Sequence, residues 1–277
     1  MKKFKVGIQL YSLREEMEND MEKNLQRVKE IGYDYVEFAG YFGKSAEEIR
    51  ALLDKYGLEC ISVHQGADFY IDGGQNAFNF IKTLGAKYSA IPWYEKEKLA
   101  GSDEWENTVA LFTKLGEDMK ANGLQLLYHN HDFEFNKFED KYLIDHIYDS
   151  IPNNLINPEF DTCWVKYAGE DPIKYIEKYA GRVTVLHLKD FVCKNYAAGP
   201  AYALIDNEGN AVESVSKEDN EFRFKPCGHG VQDFKSILEA AEKCGTEYVI
   251  VEQDAWYDEC PFECAKKSRE HLKSLGI

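Results

Sequence analysis

The stretch Lys5-Val-Gly-Ile-Gln-Leu-Tyr11, the helical pattern over 19–31 that ends against Gly32, and Tyr35-Val-Glu-Phe-Ala-Gly40 together read as one strand–helix–strand unit. The same rhythm continues outward along the chain. Apolar runs bounded by turn residues recur at 60–66, 86–93, 124–131, 156–165, 183–190 and 246–255, which brings the strands to eight. Helical patterns at 45–56, 103–122, 171–180, 232–244 and 261–274 lie between them, several closed by a glycine such as Gly57, Gly123, Gly181 or Gly245. Strand starts are about 25 to 38 residues apart until the last interval of about 63, so residues 191–231 read as an insertion after strand seven. Within it, Ala203-Leu-Ile-Asp, Asn207-Glu-Gly-Asn and Ala211-Val-Glu read as a small hairpin. Apolar strands alternating with helices belong to a parallel sheet covered by helices, and eight right-handed units favour closure into a (β/α)8 barrel. No GxGxxG follows the first strand, where Gly7 stands alone, which disfavours an open dinucleotide-binding sheet. The expectation is one α/β domain over 1–277.

Composition narrows the function. Asp and Glu number 49 against 33 Lys and Arg, a net charge of −16, and a surface that negative repels phosphate backbones and anionic lipid. Neither a nucleic-acid nor a membrane partner is expected. Met1-Lys-Lys-Phe-Lys5 runs into a strand without a signal-type apolar region, so the expected compartment is the cytoplasm. The seven cysteines form no CxxC pair, and Cys260 and Cys264 lack the two further partners that a four-cysteine zinc site needs.

In a parallel barrel the reacting groups project from the C-terminal strand ends. Those ends carry Tyr11, Glu37, His64, Trp93, the run His129-Asn-His-Asp-Phe-Glu134, Asp161 to Trp164, His187-Leu-Lys-Asp190, and Glu252. Five of seven histidines (His64, His129, His131, His187, His229) fall at these ends or in the loop after strand seven; His146 and His271 fall on helices. Carboxylates at the ends of apolar strands call for a cation or partner, because an unpaired buried charge is costly. Strands five to eight are neighbours, so Glu134, Asp161, His187 and Glu252 are expected to converge on one divalent ion, with Mn, Mg, Co or Zn suited to three oxygen donors and one imidazole. A metal-free rim paired to Lys189 is the alternative.

The segments Gly7-Ile-Gln-Leu-Tyr-Ser-Leu-Arg14, His129-Asn-His131, Phe160-Asp-Thr162, His187-Leu-Lys-Asp190, Gly228-His-Gly230 and Val251-Glu252 resemble, in this order and at barrel spacing, the xylose isomerase-like TIM barrel superfamily of sugar phosphate isomerases and epimerases. Tagatose-type 3-epimerases, inosose dehydratase and hydroxypyruvate isomerase are its relatives. The resemblance covers nearly the whole chain and is not specific for one substrate. It implies one divalent ion held by Glu, Asp, His and Glu from strands five to eight. Asp161, His187 and Glu252 match three of these positions. At the first, His129 stands where many relatives have glutamate, so either His129 is the ligand or Glu134 reaches in from the loop; Glu134 is favoured.

The resemblance implies a metal-dependent isomerase or epimerase that works on a keto-sugar through an enediolate. Glu252 is the expected base and Glu134 its counterpart, with His64, His131 or Lys189 as further proton carriers. Tyr11, Glu37, Trp93, His129, Trp164 and His229 are expected to bind substrate, and the turn Pro226-Cys-Gly-His-Gly230 to offer backbone N–H groups. Arg14 is the one rim-adjacent arginine, so a small neutral sugar is preferred to a phosphorylated one. A lyase or dehydratase on an oxidised sugar, inositol or 3-keto-glycoside uses the same enolate, with His131 or His229 as the extra acid. A non-catalytic sugar-binding protein is a third reading, and a homo-oligomer is left open.

Overall fold

The computed structural model describes residues 4–197, 220–257 and 259–277. Eight parallel strands close a barrel in sequential order: β1 (Lys5–Gln9), β2 (Tyr35–Phe38), β3 (Glu59–His64), β4 (Tyr88–Ile91), β5 (Gln125–His129), β6 (Ile156–Asp161), β7 (Val185–Leu188) and β8 (Tyr248–Val251), with β8 pairing back on β1. All eight strands expected from the sequence are present, most of them shorter than their apolar runs.

The shortening has local causes. The run from Lys5 stops at Gln9 because Leu10–Leu13 winds into a 3₁₀ turn, which Gln9 caps through its side chain. The run from Ile156 stops at Asp161, whose Oδ1 accepts the N–H groups of Cys163 and Trp164 and so opens the short helix Thr162–Tyr167. Helices Ala67–Gly73 and Gln75–Leu84 also form where no helical pattern is read from sequence, and Leu143–Ser150 is the helix on which His146 falls. After β7 the chain leaves the barrel; Asp190–Val192 pairs antiparallel with Arg223–Lys225. The expected hairpin over 203–213 lies outside the described residues.

Alternation along each strand sorts the side chains. Facing outward, Ile8, Val36, Leu126, Leu186 and Val249 join the large core beneath the helices. The barrel interior holds a second apolar cluster, with Ile61, Ala90, Leu127, Val185, Tyr248 and Ile250 packed with Tyr35 and Tyr88. A Cβ on Gly7 would stand 2.7 Å from Ile250 Cδ1 and 3.1 Å from the Tyr35 carbonyl oxygen, so any side chain here must push the barrel interior aside. Toward the mouth the inward-facing residues turn polar: Gln9, Glu37, His64, His129, Glu159, Asp161, His187, Lys189, Glu252 and Asp254 are all buried.

Candidate metal centre

Two-residue steps along the strands build the site from below. Glu159 precedes Asp161, His129 precedes His131, His187 precedes Lys189 and Glu252 precedes Asp254, so each pair shares the inward face. His129, Asp161, His187 and Glu252 each offer a ligand atom within 4.8 Å of the others. Beneath them His64, His129, Glu159 and His187 form a second such group. Both groups contain His129 and His187, each of which points one ring nitrogen at each group.

The distances show this division. His187 Nδ1 stands 3.0 Å from Glu252 Oε2, and its Nε2 stands 2.7 Å from Glu37 Oε2. His129 Nε2 stands 3.7 Å from Asp161 Oδ2, and its Nδ1 stands 3.4 Å from Glu159 Oε2. His64 Nε2 bridges Glu159 Oε2 at 2.8 Å and Glu37 Oε2 at 3.3 Å. Glu37 also takes a hydrogen bond from Gln9 Nε2 at 2.9 Å. Lys189 Nζ lies above, 3.0 Å from Asp161 Oδ2, 2.9 Å from Glu252 Oε2 and 3.0 Å from Asp254 Oδ1.

These contacts set the charges. Burial alone would raise Glu252, but the Lys189 ammonium and His187 hold it well below the usual carboxylate range. Burial opposes ionisation of Glu37 as well, yet His64 and His187 bring it down to about 2. Its neighbour Glu159 is pushed up to about 7 by burial and by the Glu37 charge. Burial works against a charge on His187, but the Glu37 and Glu159 carboxylates carry it well above the ordinary imidazole value. His129 and His131 fall well below that value, mainly through burial.

Several expected residues meet in one cavity of about 260 Å³ at the barrel mouth, lined by Tyr11, Trp93, His64, His129, His131 and Lys189, with Glu252 and Asp254. That volume suits one small polyol; drug-sized ligands take pockets of about 300–1,000 Å³.

Other expected residues are elsewhere. Glu134 lies in the 3₁₀ turn Phe133–Phe135, which curls back onto β5, where its Oε1 accepts from the Tyr128 hydroxyl at 2.9 Å and its Oε2 from the His131 N–H at 2.7 Å. It stands in neither donor group, and His129 takes the fourth place. Trp164 is fully buried, stacked on Phe222 with ring centroids 5.7 Å apart, so it gives the cavity no face. Glu37 is likewise fully buried and touches the histidines from beneath. His229 is exposed. The amides of its turn are occupied by the chain itself, since Gly228 and Gly230 donate to Asp190 Oδ2 at 2.9 and 2.8 Å. Glu159 and Asp254 were not singled out from sequence, although each stands two positions from a residue that was.

Comparison with known proteins agrees with this architecture. The family model for xylose isomerase-like TIM barrels matches residues 25–275, and the chain belongs to that family. An inosose dehydratase of Clostridium perfringens is 24% identical over 286 residues, spanning 92% of this chain and 90% of that protein. The crystal structure of a sugar phosphate isomerase/epimerase from Parabacteroides distasonis superposes with a TM-score of 0.74 at 21% identity, covering 99% of this chain and 95% of that one. The IOLI protein, solved with a bound zinc atom, gives 0.72 at 16% identity over 98% and 97% of the two chains. Among the described residues no helix is long and apolar enough to cross a membrane.

Proposed function

We propose that the protein is a divalent-metal-dependent lyase of the dehydratase type, acting on a small polyhydroxylated ketone such as a keto-inositol or keto-sugar. The observation that carries the reading is a donor set of two carboxylates and two imidazoles whose ligand atoms lie within 4.8 Å of one another, opening on a polyol-sized cavity whose wall includes His131 and Lys189. The likeness to inosose dehydratases along nearly the whole of both chains supports the elimination over the isomerisation that the sequence first suggests. The zinc in the IOLI neighbour supports the ion.

The donor set fits a borderline divalent ion, with His129, Asp161, His187 and Glu252 as its holders. Such an ion, when bound, supplies Lewis-acid polarisation of a ketone oxygen and so acidifies the neighbouring C–H bond. The chain's own residues carry the protons. Glu252 and His131 reach the cavity, one as an ionised carboxylate, the other as an imidazole outside the donor set. His131, a neutral imidazole, takes the proton α to the ketone and, as the imidazolium so formed, hands that proton to the departing β-hydroxyl, which leaves as water, while Glu252 stays in the donor set. Lys189, on the cavity wall, offers an ammonium to the negative charge that develops on the ketone oxygen. His131 is held in plane by Phe133, 5.9 Å away and tilted by 4°, which fixes the direction of its nitrogens.

An isomerase or epimerase is the second reading. Two carboxylates on the cavity wall, Glu252 and Asp254, suit removal of a proton at one face and its return at another. Incubation with inosose and with ketoses in D₂O separates the readings by mass. Loss of water indicates the lyase, an isomer carrying solvent deuterium indicates the epimerase, and binding without exchange refutes both.

A further inference from the structure

We infer that Lys189 is a resident counter-ion which the divalent cation must displace, and that Asp254 is the seat to which the ammonium withdraws; the inference rests on the metal-centre reading above. Lys189 Nζ sits 3.0 Å from Asp161 Oδ2 and 2.9 Å from Glu252 Oε2. These are the oxygens that face His129 Nε2 and His187 Nδ1, the inward side of the donor set. A divalent ion and an ammonium cannot both hold them, because two cations a few ångströms apart in a buried site repel strongly.

Asp254 resolves the conflict. Its carboxylate already meets Nζ with both oxygens, each at 3.0 Å, so the ammonium has a two-point partner that is not part of the donor set. The lysine stem is flexible, and it can release Asp161 and Glu252 while keeping Asp254, with no change in the backbone. Strand periodicity places the two functions in successive layers. His187 and Glu252 supply ligands, and Lys189 and Asp254, each two residues further toward the mouth, supply the counter-ion pair. Lys189, Asp254 and Glu252 all line the cavity, so the withdrawn ammonium still faces the substrate space. The acidic pocket is therefore neutralised before metal arrives, and metal binding frees Glu252 from its ammonium as the ion takes its place.

The test is Zn²⁺ affinity of the full-length protein, measured by competition against a chelating dye, with circular dichroism to verify folding. Lys189→Met is expected to bind at least tenfold tighter than wild type, and Asp254→Asn at least tenfold weaker. In the Lys189→Met background, Asp254→Asn is expected to change affinity less than threefold, because no ammonium is left to seat. Lys189→Gln serves as the second probe should the methionine variant not fold. Equal or weaker binding by the lysine variants, or an Asp254→Asn effect of the same size in both backgrounds, overturns the inference. His187→Ala in the same assay tests the underlying reading. Histidine-dependent Zn²⁺ binding with no effect of Lys189 sinks the inference alone, whereas no Zn²⁺ binding by wild type or Lys189→Met sinks both.

Discussion

Glu134→Gln should change how stability depends on pH. The Glu134 carboxyl is fully buried, and burial pushes it up to about 8 despite the hydrogen bonds from Tyr128 and the His131 N–H. In the unfolded chain the same group titrates near its ordinary value of about 4.3. Between those values the folded protein holds a proton that the unfolded chain has lost, so unfolding releases it and rising pH favours unfolding. The contribution is fully present below pH 4 and is lost as pH climbs through 8. A gap of between three and four units, at about 1.4 kcal/mol per unit, sets an upper limit of about 5 kcal/mol. Glutamine keeps an oxygen for the His131 N–H and has no proton to lose. The difference in unfolding free energy between Glu134→Gln and wild type should therefore grow in favour of the variant by at least about 2 kcal/mol from pH 5 to pH 8.5, or several degrees in Tm at about 2–4 °C per kcal/mol. Urea unfolding of both proteins at closely spaced pH values measures it, and other titrating groups cancel in the difference. A difference constant within about 0.5 kcal/mol across that range would refute a protonated, buried Glu134.

Three further outcomes follow from the site and the barrel. Metal analysis of purified protein should find about one divalent ion per chain, the number expected of a single donor set. Glu252→Gln and His187→Ala should fold and lose it, and full occupancy in both would dismantle the metal centre. His131→Gln should keep the ion and lose about 10²–10⁴-fold in turnover of the ketone substrate, read as product formed per unit metal; unchanged turnover removes His131 from the proton path. Gly7→Ala should cost about 1–3 kcal/mol in urea unfolding, because the new methyl meets Ile250 Cδ1 at 2.7 Å; a neutral effect would mean that the barrel interior gives way easily.

The barrel is legible in the sequence because buried parallel strands must be apolar and the helices between them recur at a fixed interval, a pattern that no single substitution hides. The rim is legible because charged residues at the ends of such strands call for a cation or an ion-pair partner. What escapes is the second inward-facing acid of a strand end, because one polar residue per strand end is read as its contribution. Glu159 and Asp254 share an inward face with Asp161 and Glu252, and the two-residue period alone identifies them. Glu134 escapes for a different reason. Its distance along the chain from β5 permits reach into the site, and only the fold of the Phe133–Phe135 turn decides that it bends back to Tyr128. The same holds for His229, whose turn is shaped by Asp190 drawing in the amides of Gly228 and Gly230.

If the upper group holds an ion as proposed, the groups beneath it would act as its support. An imidazole that binds an ion through one nitrogen presents the other as an N–H, and a carboxylate on that N–H fixes the tautomer and the ring. Glu37 stands 2.7 Å from His187 Nε2 and Glu159 stands 3.4 Å from His129 Nδ1, each on the nitrogen turned away from Asp161 and Glu252. A second ion in the lower group would need these same nitrogens, so each histidine would have to be deprotonated at both positions to serve two ions. The lower carboxylates are thus better placed to orient the ligands above them than to hold an ion of their own. His64, held between Glu37 and Glu159 at 3.3 and 2.8 Å, keeps those two acids from facing each other as bare charges.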